Sequence, residues 1–227
     1  MSRSEAPAVV VLLSGGLDSA TCLYWARARG WRLHALAVGY GQRHVRELRS
    51  ARRLARAAGA ELHELRLRLP WLGVSSLVGR GTALPDAPLA RIGKQGIPST
   101  YVPGRNTVFL ALAVSLADSL GAEGVVIGAN AMDSSGYPDC RPDFISAFER
   151  TARLGTRKGR ETGRLKVYAP LLRDGKGAIV RKAFRLGVPL ELTWSCYRGG
   201  RRPCGSCDSC KLRAKGFAEA GRKDPAL

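Results

Sequence analysis

The chain has 227 residues, of which 45% are hydrophobic, and its 37 lysines and arginines outnumber 18 acidic residues, for a formal net charge of +19. This length and composition are typical of a globular chain with a sizeable core, and they exclude a disordered or fibrous protein. No apolar stretch reaches membrane-spanning length and the N-terminus lacks the apolar core of a signal peptide, so we expect a cytoplasmic protein without membrane contact.

The excess positive charge consists mostly of arginines scattered over the whole chain. Such a charge favours an anionic ligand, either a nucleotide or a nucleic acid. Because the arginines are not collected in one block, the charge alone does not decide between these ligands. We expect that nucleic acid is not required for function.

The first predicted elements form a strand, a glycine turn and a helix. Five apolar residues at positions 9–13 predict a short buried strand. Ser14-Gly15-Gly16 predicts a tight turn, because glycine reaches backbone angles that other residues avoid. A helix is predicted from about residue 18 to residue 29. The unpaired N–H groups at a helix start suit an anion, so this unit predicts a cradle for phosphate or pyrophosphate.

The rest of the chain alternates strands and helices. Strands are predicted at Arg32–Gly39, 61–67, 124–128 and 166–172, and helices at about 45–58, 108–120, 142–154 and 177–186. This alternation is typical of an α/β fold with a parallel sheet, whose ligands lie at the carboxyl ends of the strands.

Two irregular stretches interrupt the alternation. Residues 70–103 are rich in glycine, proline and serine, and they predict a lid, a binding loop or a disordered segment. The helix after this stretch has Asn106 or Thr107 as its predicted cap. Residues 129–140 predict a polar loop at the ligand-facing edge of the sheet.

The C-terminal stretch carries four of the six cysteines, Cys196, Cys204, Cys207 and Cys210. In a cytosolic chain this crowding favours a metal over disulfides, and four thiolates suit a closed structural Zn²⁺ site. An iron–sulfur cluster and a redox disulfide remain alternatives. We expect loss of the metal to destabilise the fold without removing chemical groups from the active site.

The loop at residues 14–19 reads Ser-Gly-Gly-Leu-Asp-Ser. It contains neither Gly-Lys-Ser/Thr nor G-x-G-x-x-G, which excludes two common nucleotide-binding loops. It resembles the PP-loop of the ATP pyrophosphatase superfamily, whose members split ATP between its α and β phosphates. This resemblance implies a Rossmann-like fold of the adenine nucleotide alpha hydrolase type. Residues 1–190 would form the ATP-binding and catalytic domain, and residues 191–227 a small zinc-binding segment.

Five segments in this order resemble the 7-cyano-7-deazaguanine synthase family over nearly the whole chain. They are the PP-loop, Tyr-Gly-Gln-Arg-His at 40–44, Tyr-Val-Pro-Gly-Arg-Asn-Thr at 101–107, Asp-Ser-Ser-Gly-Tyr-Pro-Asp-Cys-Arg at 133–141 and the four-cysteine tail. The resemblance implies an ATP-dependent ligase that converts 7-carboxy-7-deazaguanine and ammonia to the 7-cyano base. The implied route passes through an adenylated acid and an amide, and it releases AMP and pyrophosphate. Mg²⁺ bound with ATP and a homodimer are implied as well.

The same resemblance implies roles for individual residues. The implied ATP-binding residues are Leu13, Ser14, Gly15, Gly16, Leu17, Asp18, Ser19, Ala20, Thr21, Arg43 and His44. The implied catalytic residues are Asp18, Ser19, Arg105 and Lys176. The implied substrate-binding residues are Arg105, Asn130, Asp133, Tyr137, Asp139 and Arg141. For Asp133 and Asp139, the alternative of capping turns remains open. Residue 134 is serine, where the family usually has an aromatic residue.

Two other functions remain as alternatives. A tRNA-modifying PP-loop enzyme, of the thiolase or lysidine-forming type, agrees with the net charge of +19. No appended RNA-binding domain is evident, which counts against it. A noncatalytic, zinc-stabilised module that binds nucleic acid is the second alternative, but simple binding does not need a pyrophosphate cradle.

Overall fold

A five-stranded parallel sheet forms the centre of the fold in the computed structural model, which describes residues 6–42, 46–78, 83–92 and 96–226. The strands are β1 (Ala8–Leu12), β2 (Arg32–Gly39), β3 (Glu61–Arg66), β4 (Gly124–Val126) and β5 (Lys166–Tyr168). Their order in the sheet is β3-β2-β1-β4-β5, and every pair is parallel. The predicted α/β class is therefore confirmed.

The strand order creates a crevice beside the central strand. The chain runs outward from β1 to β2 and β3, and then crosses back to add β4 and β5 on the other side. In open parallel sheets, ligands bind where the strand order reverses, outside the carboxyl ends of the two diverging strands. Here that point lies between the ends of β1 and β4, where the loops after residues 12 and 126 meet.

Helices cover both faces of the sheet. Among the described residues they are α1 (Leu17–Arg27), α2 (Arg46–Ala58), α3 (Arg105–Ser119), α4 (Ala131–Gly136), α5 (Pro142–Gly155), α6 (Arg157–Thr162), α7 (Lys176–Arg185) and α8 (Asp208–Glu219). Short 3₁₀ turns occupy Pro70–Val74, Leu89–Arg91, Pro138–Cys140 and Leu190–Leu192. None of the helices within these described ranges is both long and apolar enough to cross a membrane.

Strand β1 is buried on both faces, which explains its unbroken apolar run. Val9 and Val11 pack with α1, α2 and α7 on one face. Val10 and Leu12 pack with α3 and α5 on the other face. The loop after β1 therefore extends from a strand that is packed on both faces.

The C-terminal helix α8 packs into the same core as the sheet. Phe217 is 2% exposed and lies in the cluster that contains Val9 and Val11. Gly216 allows close contact with α7, because a Cβ at this position would lie 2.9 Å from the Cβ of Lys176. The Glu219 carboxylate accepts a hydrogen bond from the backbone N–H of Gly177 at 3.1 Å. Helix α8 thus supports the first turn of α7.

The start of α3 differs from the prediction. The helix begins at Arg105. Its N-cap is Gly104, whose backbone lies in the left-handed region and which has no side chain to cap the helix. The carboxylate of Asp139 instead accepts a hydrogen bond from the backbone N–H of Asn106 at 2.8 Å. The prediction that Asn106 or Thr107 caps α3 is therefore wrong, because the acceptor comes from a segment distant in sequence.

Other elements also differ from the sequence-based expectations. The stretch 129–140 is not an open loop, because it contains α4 and a 3₁₀ turn. Asn130 caps α4, and its side-chain oxygen accepts from the backbone N–H groups of Met132 and Asp133. Helices α6 and α8 were not predicted. A cysteine-rich start and the interior glycine Gly216 weaken the helical pattern of α8.

Candidate active site

The PP-loop turns directly from β1 into α1. Gly15 has a φ of 90°, and a Cβ there would lie 2.3 Å from the backbone oxygen of Glu47, so only glycine fits this turn. The hydroxyl oxygens of Ser14 and Ser19 lie 3.0 Å apart across the loop. Gly16, the N-cap of α1, has no side chain to bond the helix start. The first N–H groups of α1 therefore face the loop as anion-binding donors.

Four polar side chains meet at the crevice between β1 and β4. Lys176 Nζ lies 2.6 Å from Asp18 Oδ2. The Asn130 amide donates to the same oxygen at 3.0 Å and to Asp133 Oδ2 at 2.6 Å. The second oxygen of Asp18, Oδ1, is buried and has no hydrogen-bond partner among the described residues. This cluster holds two carboxylates and one ammonium group beside the PP-loop.

Burial and charge shift the pKa values in this cluster. Burial, helped by the Asp18 charge, raises the pKa of Asp133 to about 6, although Lys176 opposes the rise. Burial alone would lower the pKa of Lys176, but the carboxylates of Asp18 and Asp133 outweigh it and raise the pKa. Lys176 therefore stays positively charged at neutral pH and can stabilise negative charge on a ligand.

A cavity of about 250 Å³ opens next to this cluster. The residues with predicted roles that line it are Leu13, Ser14, Asp18, Ser19, Arg105, Asp133 and Tyr137. The Tyr137 hydroxyl lies 2.7 Å from Thr100 Oγ1, which fixes one wall of the cavity. The cavity therefore joins the PP-loop to the segment at 133–141, as a site for two neighbouring ligands requires.

The four C-terminal cysteines lie together. Their sulfurs are within 4.8 Å of one another, and those of Cys204 and Cys210 are 3.9 Å apart. Tetrahedral Zn–S bonds of about 2.3 Å place sulfurs roughly 3.8 Å apart, so the arrangement fits one metal ion. The backbone N–H of Cys204 donates to Cys196 Sγ, and that of Cys207 to Cys204 Sγ, both at 3.4 Å. These bonds orient the sulfurs toward a shared centre.

A family model described as "Queuosine biosynthesis protein QueC" matches residues 8–221. The chain belongs to the QueC family. Two relatives named 7-cyano-7-deazaguanine synthase come from Anaeromyxobacter sp. (strain Fw109-5) and Anaeromyxobacter dehalogenans (strain 2CP-C). The first is 53% identical and covers 100% of this chain and 98% of its own. The second is 54% identical, and its alignment covers 99% of this chain and 97% of the relative.

A solved structure supports the fold of this QueC member. NMN synthetase from Francisella tularensis aligns with a TM-score of 0.53 and 16% sequence identity, over 96% of this chain and 79% of its own. At this identity the likeness concerns the fold alone. Together with the family match, it confirms the resemblance inferred from the five sequence segments.

Several residues with predicted roles lie outside the cavity of this QueC member. Leu17, Ala20 and Thr21 are buried in α1, and the Thr21 hydroxyl donates to the backbone oxygen of Leu17 at 2.8 Å. Gly15 and Gly16 contribute backbone to the loop. Asn130 and Lys176 contact Asp18, which itself lines the cavity. Arg43 and His44 lie outside the described residues.

Two further predicted substrate-binding residues also lie apart from the cavity. Asp139 is 6% exposed, and its carboxylate bonds to the start of α3. The side chain of Arg141 is 61% exposed and lies 3.6 Å from the Asp143 carboxylate. In this structure Asp139 acts on the helix that carries Arg105, and Arg141 lies at the protein surface.

The C-terminal segment contributes to the site in a way that the sequence did not reveal. Tyr197, which directly follows Cys196, lines the cavity. The backbone N–H of Trp194 donates to the Gly15 oxygen in the PP-loop at 2.9 Å. Proximity of Tyr197 to a metal ligand was the available sequence signal. The cysteine segment therefore reaches both the PP-loop and the cavity wall.

Glu47 is a second lining residue that sequence reasoning missed. Burial raises its pKa to about 7, although the Arg105 charge lowers it in part. The folded protein thus holds the Glu47 proton more tightly than the unfolded chain does. This contribution to stability is present below the unfolded pKa and is lost as the pH rises through about 7.

We expect the Glu47→Gln variant to remove this pH dependence, because the amide cannot ionise. Its melting temperature should be close to that of the unmodified protein at pH 5 and higher than it at pH 8. Thermal unfolding without ATP, followed by circular dichroism at both pH values, measures the difference. A difference that is the same at both pH values would contradict the raised pKa.

Proposed function

We propose that this chain is a 7-cyano-7-deazaguanine synthase, as its relatives are named. The observation that carries the proposal is the juxtaposition of a PP-loop with a cavity lined by Arg105, Asp133 and Tyr137. A pyrophosphate cradle serves a reaction that cleaves ATP between its α and β phosphates. The adjoining cavity offers the aromatic, carboxylate and guanidinium groups that a carboxylated purine-like base requires.

The proposed reaction uses two ATP molecules for each base. A carboxylate oxygen of 7-carboxy-7-deazaguanine attacks the α phosphorus of ATP, and pyrophosphate leaves. Ammonia then displaces AMP and gives the amide. The amide oxygen attacks a second ATP, again with loss of pyrophosphate. Loss of AMP and a proton leaves the nitrile, so both oxygens of the original carboxylate end in AMP.

The PP-loop and its neighbours would stabilise the charge that develops during each adenylation. The N–H groups at the start of α1 and the hydroxyls of Ser14 and Ser19 would bind the pyrophosphate end of ATP. Lys176, which stays charged, would stabilise the leaving pyrophosphate. Asp18 Oδ1, which has no hydrogen-bond partner in the part of the chain that the structure describes, fits a role toward Mg²⁺ or its waters. When bound, Mg²⁺ would neutralise part of the negative charge on the phosphates of ATP.

The remaining cavity residues would bind the base. The Asp133 carboxyl would accept hydrogen bonds from its amino and ring N–H groups, and Tyr137 with Tyr197 would contact its ring faces. Arg105 would bind the carboxylate, since guanidinium and carboxylate pair with matched geometry. Asp139 would act as a positioning residue for Arg105 through the adjacent N–H of Asn106.

The four cysteines would hold one structural Zn²⁺, whose bonds would fix the segment that carries Trp194 and Tyr197. Residues 191–227 would then serve the catalytic part formed by residues 1–190. We also propose a homodimer. Large apolar side chains on the surface, such as Trp71 at 65% exposure and Val74 at 73%, are candidates for its interface. Light scattering after size-exclusion chromatography measures the oligomeric state of the protein.

An end-point assay tests the proposed reaction. Purified protein is incubated with ATP, Mg²⁺, ammonium and 7-carboxy-7-deazaguanine labelled with heavy oxygen in its carboxylate. Mass spectrometry should show the nitrile and two AMP molecules for each nitrile, without ADP. The heavy oxygen should appear in AMP, which identifies adenylation as the activating step.

A folded, metal-loaded protein that forms no nitrile in this assay would overturn the proposal. The basic surface would then favour the tRNA-modifying alternative. Incubation with unmodified tRNA and ATP would test it, and AMP formed only when tRNA is present would support it. Binding to tRNA that weakens steeply with salt would agree with that outcome.

A further inference from the structure

A second group of metal-ligating side chains lies on the outer part of the sheet. Strand β3 pairs with β2 so that His34 is directly opposite Glu61, and His63 lies two residues further along β3. Residues two apart on a strand point to the same face. The strand register thus brings two imidazoles and one carboxylate to one face of the sheet.

The distances between the donor atoms of these side chains match those between the ligand atoms of a bound metal ion. His34 Nδ1 lies 3.2 Å from His63 Nε2 and 3.3 Å from Glu61 Oε2. His63 Nε2 lies 3.6 Å from Glu61 Oε1. Bonds of about 2.0–2.1 Å to a tetrahedral zinc ion place two donor atoms roughly 3.3–3.4 Å apart. The three side chains are therefore already spaced as zinc ligands.

The chemistry of the group also favours a cation. His34 has only 5% of its side chain exposed, so water has little access to its imidazole. Two imidazole nitrogens and a carboxylate oxygen converge at this point, and each of these atoms can present a lone pair to a metal ion.

We propose that His34, Glu61 and His63 form a second metal-binding site that takes Zn²⁺ with an open fourth position. The ligand set is two imidazole nitrogens and one carboxylate oxygen, a combination that zinc binds in proteins. Glu61 is 64% exposed and gives the ion a path from solvent. A bound ion would join the edge strand β3 to β2 and would stabilise this side of the sheet.

Isothermal titration with Zn²⁺ tests the site in protein that already carries one zinc equivalent in the cysteine segment. We expect one further binding event in the unmodified protein. In the Glu61→Gln and His63→Gln variants it should be at least ~10-fold weaker, because each has lost a ligand. Glu64→Gln is the matched control, since Glu64 lies on the same strand but pairs with Arg52 at 2.6 Å. It should bind like the unmodified protein.

Nuclear magnetic resonance of the ring nitrogens gives an independent readout, because the chain has only three histidines. Zinc should shift the signals of both His34 and His63. Far-ultraviolet circular dichroism verifies that each variant is folded. The proposal is overturned if the unmodified protein shows no further binding event, or if all variants bind zinc equally.

Discussion

Replacing Lys176 by methionine is expected to lower the rate of AMP formation by about 100- to 1,000-fold, the effect of losing one charged group that stabilises a transition state. Lys176 Nζ is 2.6 Å from Asp18, and its side chain is 14% exposed, so solvent does not replace its charge. The variant also removes the cation that contacts Asp18 and offsets the charge of Asp133. Steady-state measurement of AMP release, with ATP varied, separates the effect on kcat from the effect on KM.

Lys215→Met is the matched control for this variant. Lys215 lies on α8, where its side chain is 46% exposed and forms a surface pair with Glu219 at 3.6 Å. The control should keep the activity and melting temperature of the unmodified protein. Normal AMP release by a folded Lys176→Met protein would remove Lys176 from the proposed mechanism.

Replacing Cys207 by serine is expected to abolish stoichiometric metal binding and to lower the melting temperature by about 10 °C. Losing a ligand of a structural metal costs several kcal/mol, and each kcal/mol shifts the melting temperature of a chain this long by roughly 2–4 °C. Activity should fall as well, because the same segment positions Trp194 and Tyr197. Elemental analysis, thermal unfolding and the nitrile assay measure the three effects.

Ser206→Ala is the control, because it changes the same turn and keeps all four thiols. The Ser206 hydroxyl lies 3.6 Å from Cys204 Sγ and is not needed to complete a tetrahedral site. Elemental analysis of the unmodified protein also tests the identity of the metal. Iron with sulfide would favour a cluster, and a protein free of metal but sensitive to reductant would favour a disulfide.

The fold was predictable from the sequence where local patterns dominate. The apolar run in β1 and the bounds of β2 follow from strand periodicity, and the glycines after β1 require a turn. The start of α3 was not predictable, because Asp139 supplies its cap from a distant segment. Helix α8 was missed since its support comes from close packing on α7, which leaves little periodicity in its own sequence.

The candidate site was predictable to the extent that motifs mark it. The PP-loop motif identified Asp18 and Ser19, and the segment at 133–141 identified Asp133 and Tyr137, all of which line the cavity. Tyr197 and Glu47 were missed, because only the folded chain brings them to the cavity. The spacing of residues in the sequence shows which residues belong to a motif. It does not show which side chains of the motif line the cavity.

The hydrogen bond between Trp194 and Gly15 has a consequence for how the protein is made. A ribosome synthesises the PP-loop well before Trp194, so the hydrogen bond between them can form only once that residue has been added. A nascent or prematurely terminated polypeptide that stops before residue 194 lacks this bond and the Tyr197 wall of the cavity. We therefore expect ATP consumption to begin only after residues 194–197 have been added and have folded against the PP-loop.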